Sequence, residues 1–341
     1  MRKKRWLVIV LGLILTYLNL ALLPRFPNVS QENPLLVHDG LPRLIAHGGG
    51  NHEFPDNTLE AFYHAFSIDE NVIMETDVSM TLDGVIILSH DTTLDRKTTL
   101  VNAPIHLTNY TDLLDDEVDF GYHNPVQSGV NTSETFEKYQ NYLGFEVTPL
   151  DVTYPEGILP RHPSKFLVTT LRELIIAFPN NVINVEIKQS GALGLDALAQ
   201  VIEIMDELDA EYHTYERIVL ASFHDEVFDH LKSIKKESHA DLMISPSVKT
   251  VIRYVILQTM FLDFFFWDPI HVIQVPVEQS SITLATFRMV RSAHRHNIAV
   301  HYWTIDDPDM MLQLIELGAD GIMTNRPSVL KAILDSLDSD A

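Results

Sequence analysis

From position 41 onward, short apolar runs recur along the chain with amphipathic stretches between them. Runs of strand length fall at 44–47, 72–78, 85–90, 182–188, 218–223, 242–245, 272–275, 298–304 and 321–324. A period near 3.6 predicts helices at 58–66, 195–208, 225–236, 284–296 and 308–317. Strands that alternate with helices predict an α/β fold with a parallel sheet. The nine runs are one more than a (β/α)8 TIM barrel uses. The surplus strand is expected to be 272–275 or one member of the hairpin-like pair within 72–90.

Two segments break this rhythm. Residues 97–165 are rich in Asn, Thr, Asp, Tyr and Pro with no sustained period. A stretch this long reads as an insertion over the barrel mouth, in the manner of a lid. At the N-terminus, Arg2, Lys3, Lys4 and Arg5 precede an uncharged, mostly apolar run at 6–23. That run predicts a transmembrane signal anchor, because its length nearly matches a hydrocarbon core of ~30 Å and no A-x-A-like cleavage site follows. The expected organisation is a basic flank and anchor at 1–23, a linker at 24–40 and a barrel at 41–335. The basic flank would stay cytoplasmic, which makes the chain a single-pass membrane protein with its barrel on the other side. A further apolar and aromatic stretch at 251–267 reads either as an outer barrel helix buried on one side or as a lipid-touching surface.

Charge narrows the classes of function. The chain carries 24 Lys and Arg against 47 Asp and Glu, a net −23. Four of the basic residues lie in the first five positions. Such a surface repels a phosphate backbone and excludes nucleic acid as a partner. An anionic substrate would need local positive charge, which a metal ion supplies. There are no cysteines, so thiolate nucleophiles, disulfides and cysteine-based zinc sites are excluded, and any metal rests on oxygen or imidazole ligands.

Glu75 and Asp77 stand two apart on a strand, so both side chains project from one face. Glu186 and Lys188 repeat that spacing on a later strand. His47 ends the first strand, and His90 with Asp91 ends the third. In a parallel barrel, polar residues at the C-terminal strand ends converge on one site. Three carboxylates suit a hard divalent cation such as Ca²⁺ or Mg²⁺. Lys188 is placed to neutralise a phosphate oxygen, and two histidines serve as general acid and base. An isolated E-x-D is usually a solvated strand end. Here the acids lie within apolar runs, where an unpaired carboxylate is costly. His294 and His296, in a predicted helix, do not share a face and read as solvent-facing or capping residues.

At these residues the chain resembles the glycerophosphodiester phosphodiesterase family, a TIM-barrel family related to phosphatidylinositol-specific phospholipases C. The resemblance is carried by His47-Gly48-Gly49-Gly50, Pro55-Asp56-Asn57-Thr58, Glu75-Thr76-Asp77, His90-Asp91, Leu94-Asp95-Arg96, Glu186-Ile187-Lys188, Tyr302-Trp303-Thr304 and Gly321-Ile322-Met323-Thr324-Asn325-Arg326-Pro327, in order. It implies metal ligation by Glu75, Asp77 and Glu186, acid–base catalysis by His47 and His90, and phosphate binding by Lys188. Phe223 and Trp303 would line the pocket or serve as barrel packing. Asn57-Thr58 is expected to start the first barrel helix.

The implied reaction is metal-dependent hydrolysis of a glycerophosphodiester, or of a lysophospholipid, to an alcohol and a phosphomonoester such as glycerol 3-phosphate. The alternatives are a phospholipase C- or D-like lipid phosphodiesterase and a membrane-tethered protein that binds diesters without turnover. The family usually has His-Arg-Gly where this chain has His47-Gly48-Gly49. That loss leaves more phosphate charge to the metal and Lys188 and opens room beside His47. Asp56 stands where the family usually has Glu.

Overall fold

The computed structural model describes residues 2–29, 32–38, 40–123 and 136–339. Its strands are β1 Arg43–His47, β2 Ile73–Met80, β3 Ile86–Leu88, β4 Ile183–Ile187, β5 Ile218–Ala221, β6 Met243–Ile244, β7 Val272–Val275, β8 Glu278–Gln279, β9 Ile282–Thr283, β10 Ala299–Tyr302 and β11 Gly321–Thr324. The helices are α1 Arg2–Ala21, α2 Leu59–Ile68, α3 Leu171–Ala177, α4 Gly191–Tyr212, α5 Thr214–Arg217, α6 Asp225–Glu237, α7 Val248–Thr259, α8 Phe287–Arg295, α9 Pro308–Leu317 and α10 Pro327–Ser339.

Eight parallel strands run in the order β6-β5-β4-β2-β1-β11-β10-β7, a nearly closed barrel. The seam between β6 and β7 is held by the His271 backbone N–H, which donates to the Ile244 carbonyl at 3.0 Å. The Ile244 N–H donates in turn to His271 Nδ1 at 3.3 Å. The surplus strand is β3, which pairs antiparallel with β2 outside the barrel path, whereas 272–275 is a barrel strand. One of the two anticipated candidates is thus the outsider.

Local chemistry explains the helix boundaries. Asp307 caps α9 by accepting from the Met310 N–H, Pro308 fills the first turn, and Gly318 closes it at φ 81°. Thr58 caps α2 by accepting from the Ala61 N–H. Thr170 and Glu173 form a capping box at α3, a helix the periodicity did not disclose. Helix α7 buries Tyr254 and Gln258 and leaves Ile252 and Ile256 exposed, as an outer barrel helix covered on one side does. Of the two expected roles, His296 takes that of a cap rather than a solvent-facing residue. It ends α8 fully buried, with its ring against Asn28 and Asp263, while His294 bonds Asp320.

The N-terminal helix corrects an expectation. Among the described residues no helix is long and apolar enough to cross a membrane. The basic start of α1 and the polar Thr16, Tyr17 and Asn19 confine its unbroken apolar run to positions 6–15. At 1.5 Å per residue that spans about 15 Å, half of the ~30 Å required. A transmembrane anchor, a membrane partner through it and a single-pass topology are therefore not supported. The foot of α1 instead meets the segment after α7. The Tyr17 hydroxyl donates to the Met260 carbonyl at 2.7 Å, and Arg25 pairs with Asp263 at 2.6 Å.

The chain that follows seals the barrel floor. Leu35 is fully buried against Val219, Met243, Val272 and Ala299, all inward-facing at the N-terminal strand ends. Burying one leucine side chain stabilises by about 1.5–3 kcal/mol. The described parts of 97–165 lie against the opposite end. Arg161 pairs with the buried Glu60, the Tyr139 hydroxyl donates to the Asn51 carbonyl, and the Tyr142 N–H donates to the His52 carbonyl. Residues 124–135 of that insertion lie outside the described residues.

Candidate active site

Register builds the site. In the sheet His47 stands opposite Glu75, and Asp77 opposite Glu186, on the adjacent strands β1, β2 and β4. Alternate residues share a face and neighbouring strands lie about 4.8 Å apart, so the three acids must converge. Glu75, Asp77 and Glu186 each offer an oxygen within 4.8 Å of the others. Glu75 and Asp77 are almost completely buried.

Their electrostatics are those of crowded anions. Burial, then the neighbouring Asp77 carboxylate, push Glu75 well above the usual carboxyl range. Burial and Asp77 raise Glu186 as well. Burial would raise Asp77 too, but Lys188 and the two histidines hold it below its usual value. Lys188 Nζ sits 3.1 Å from both Asp77 and Glu186. One lysine against two buried carboxylates and one partly buried leaves an excess of negative charge, and an all-oxygen donor set of this kind fits a hard divalent cation. The residues that would hold it are Glu75, Asp77 and Glu186.

Two histidines flank this cluster, each with a different partner. His47 Nδ1 lies 2.7 Å from Asn325 Oδ1, and its Nε2 lies 3.9 Å from Glu75. His90 Nδ1 lies 2.8 Å from Asp91, which lies 2.5 Å from Arg96 Nε. The Asp91 bond raises His90 above the usual imidazole value against the pull of burial. His90 and Arg96 in turn lower Asp91 to about 2, although burial opposes them. Arg96 also grips Asp56 at 3.0 and 3.3 Å. Asn57 donates to both Asp56 and Asp77 at 3.2 Å and accepts from the Thr76 hydroxyl at 2.7 Å. A continuous polar chain therefore runs from His90 to the acidic cluster.

The resulting hollow holds about 240 Å³ and is lined by His47, Asp56, Asn57, Asp77, His90 and Arg96 among others. A larger hollow of about 650 Å³ beside Arg43, Asn181 and Arg217 lies at the N-terminal strand ends. It lacks the carboxylate cluster and the paired imidazoles, so size does not mark the chemistry here. Gly48 itself lines this hollow beside His47. A Cβ at Gly48, whose φ is +56°, would stand 3.0 Å from Asp56 Cβ and 3.4 Å from Asn57 Nδ2. At the rim, Phe223 and Trp303 stack with centroids 5.8 Å apart, and Lys188 Nζ lies 5.8 Å from the centre of the Phe223 ring. Phe223 is 42% exposed, more than barrel packing alone requires.

All eight residues singled out from the sequence thus lie at one end of the barrel. The partners behind the histidines had no assigned role. Asn325 and Arg96 lay within recognised motif pieces, and Asp306, which accepts from the Asn325 amide, carried no signal of its own.

Comparison with known proteins gives the class. The model of the Glycerophosphoryl diester phosphodiesterase family matches residues 47–329. A probable glycerophosphodiester phosphodiesterase 2 of Mycobacterium tuberculosis is 23% identical over 88% of this chain and 92% of its own length. A lysophospholipase D of Rattus norvegicus is 25% identical over 89% of this chain and 91% of its own. A phosphodiesterase structure from Oleispira antarctica, in complex with the product sn-glycerol-3-phosphate, superposes with a TM-score of 0.58 at 18% identity, covering 86% of this chain and 97% of that one. The chain belongs to the glycerophosphoryl diester phosphodiesterase family. It is an enzyme, a glycerophosphodiester phosphodiesterase, rather than a binding protein without turnover.

Proposed function

We propose that this enzyme hydrolyses glycerophosphodiesters to an alcohol and glycerol phosphate at the mouth of the barrel. The observation that carries the reading is the placement of two imidazoles with unlike partners on either side of one buried carboxylate cluster. A divalent cation bound by Glu75, Asp77 and Glu186 would supply Lewis-acid stabilisation of charge on the phosphate.

The protein's own groups divide the remaining work. Lys188 offers positive charge to a phosphate oxygen, since its ammonium is held firmly protonated by Asp77 and Glu186 against the effect of burial. His90, backed by the Asp91 carboxylate, favours the imidazolium form and donates a proton to the leaving alkoxide. His47, backed by a neutral amide, accepts the proton of the attacking hydroxyl at Nε2. One P–O bond forms, the P–O bond to the leaving alcohol breaks, and one proton crosses the site. The attacking hydroxyl belongs to water or to the substrate's neighbouring carbon, and trapping of a cyclic phosphate distinguishes them.

A second reading, hydrolysis of lysophospholipids, draws on the aromatic shelf formed by the exposed Phe223 and the half-buried Trp303, and on the lysophospholipase D relative. Glycerophosphocholine and lysophosphatidylcholine assayed side by side, with and without divalent metal, test both readings. Metal-dependent release of choline from the first supports the main proposal, and faster release from the second favours the lipid. Turnover of neither would overturn both.

A further inference from the structure

Beneath His47 lies a polar relay of which the reaction scheme uses only the amide at its head. Asn325, the residue after β11, meets His47 through Oδ1, and its Nδ2 donates to Asp306 Oδ2 at 2.8 Å. A carboxylate only accepts, so the amide nitrogen must face Asp306 and the amide oxygen must face the imidazole. The oxygen, an acceptor, then requires the proton of His47 on Nδ1. The lone pair is left on Nε2, the nitrogen nearer Glu75. Asp306 itself is fixed by the Thr324 hydroxyl at 3.0 Å and the Asn325 backbone N–H at 2.8 Å, both to its other oxygen.

From this we infer that Asn325 and Asp306 are positioning residues that set the tautomer and ring orientation of His47. The inference rests on the catalytic reading of His47 given above. Asp306 acts at two removes and touches no reacting atom. It also stands 3.6 Å from His52 Nδ1, whose backbone carbonyl takes the Tyr142 N–H of the insertion.

The test exchanges donor and acceptor. Asp306→Asn removes the group that orients the Asn325 amide, and is close to isosteric. Its expected result is a fall in kcat of about 10–100-fold with little change in KM, the range seen when an orienting partner of a functional histidine is lost. The ¹⁵N imidazole spectrum of the full chain, taken where His47 is neutral, should pass from one Nδ1–H tautomer to a mixture. Pairing Asp306→Asn with Asn325→Asp gives the imidazole a carboxylate acceptor and the new amide a partner. That double variant should regain the Nδ1–H tautomer and most of the lost kcat, which a defect in folding would not produce. An unchanged tautomer and a kcat within twofold of the parent in Asp306→Asn would overturn the positioning role, provided His47→Ala is inactive. A fully active His47→Ala would bring down the catalytic reading and the relay together.

Discussion

One histidine at the mouth of this barrel and two at its floor are treated in opposite ways. At the mouth, His90 bonds a carboxylate and is raised above its ordinary value. At the floor, burial lowers His301 to about 4 and His271 to about 3. His301 points into the barrel beside Gly321, where an added Cβ would come within 2.7 Å of its ring. Neither of its ring nitrogens has a hydrogen-bond partner among the described residues. Imidazole chemistry is the same in both places. What differs is the bonded partner: Asp91 accepts directly from His90, whereas Asp320 raises His301 only through space and burial outweighs it.

The comparison is broken most forcefully at the mouth. His90→Ala or His47→Ala should lower kcat by about 10²–10⁴, the usual worth of a general acid or base, with the far-UV circular dichroism unchanged. Comparable losses in His271→Leu would erase the distinction between the ends. Glu75→Gln should weaken divalent-metal affinity by about 100-fold or more, beyond the 10–100-fold typical of an outer-shell partner. Isothermal titration with Mg²⁺ or Ca²⁺ checks this.

Asp91→Asn sharpens the contrast by giving His90 a neutral partner. Turnover should fall by about 10–100-fold. Because Asp91 raises His90, its loss lowers the pKa of the proton donor. The high-pH limb of the kcat profile should therefore move to lower pH. A limb that stays in place would show that His90 is not the acid.

The smallest effect belongs to the floor and appears in stability alone. His301 lies below its unfolded value of 6.5, so the unfolded chain binds the extra proton between about pH 6.5 and 4. The neutral imidazole contributes fully above that window, and its contribution is lost as pH falls through it. Between pH 7 and 5 this amounts to about 2 kcal/mol, to be read as the denaturation free energy of the parent against His301→Leu. Equal acid sensitivity in the two proteins would contradict the assignment.

How much of this was legible in the sequence follows the range of the forces. Glu75 and Asp77 share a face through strand periodicity, and Pro308 and Gly318 bracket α9 through local backbone chemistry, so both could be read directly. The register of β1, β2 and β4 was not local, yet motif order brought its consequences with it. The relay of Asn325, Asp306 and His47 joins residues more than 250 positions apart, with partners that no periodicity reveals. The N-terminal run misled because its whole length, 6–23, was matched to the bilayer although polar residues interrupt it. The polar Thr16, Tyr17 and Asn19 shorten its apolar length, and Leu35 downstream is committed to sealing the barrel.

The central claim is that one carboxylate cluster at the mouth organises turnover. Stepwise addition of Mg²⁺ or Ca²⁺ to metal-stripped protein, followed by release of glycerol phosphate from glycerophosphocholine, tests it directly. The account predicts full activity at one ion per chain and its loss together with ion binding in Glu75→Gln. Undiminished hydrolysis in chelator, or a Glu75→Gln protein as active as the parent, would contradict it.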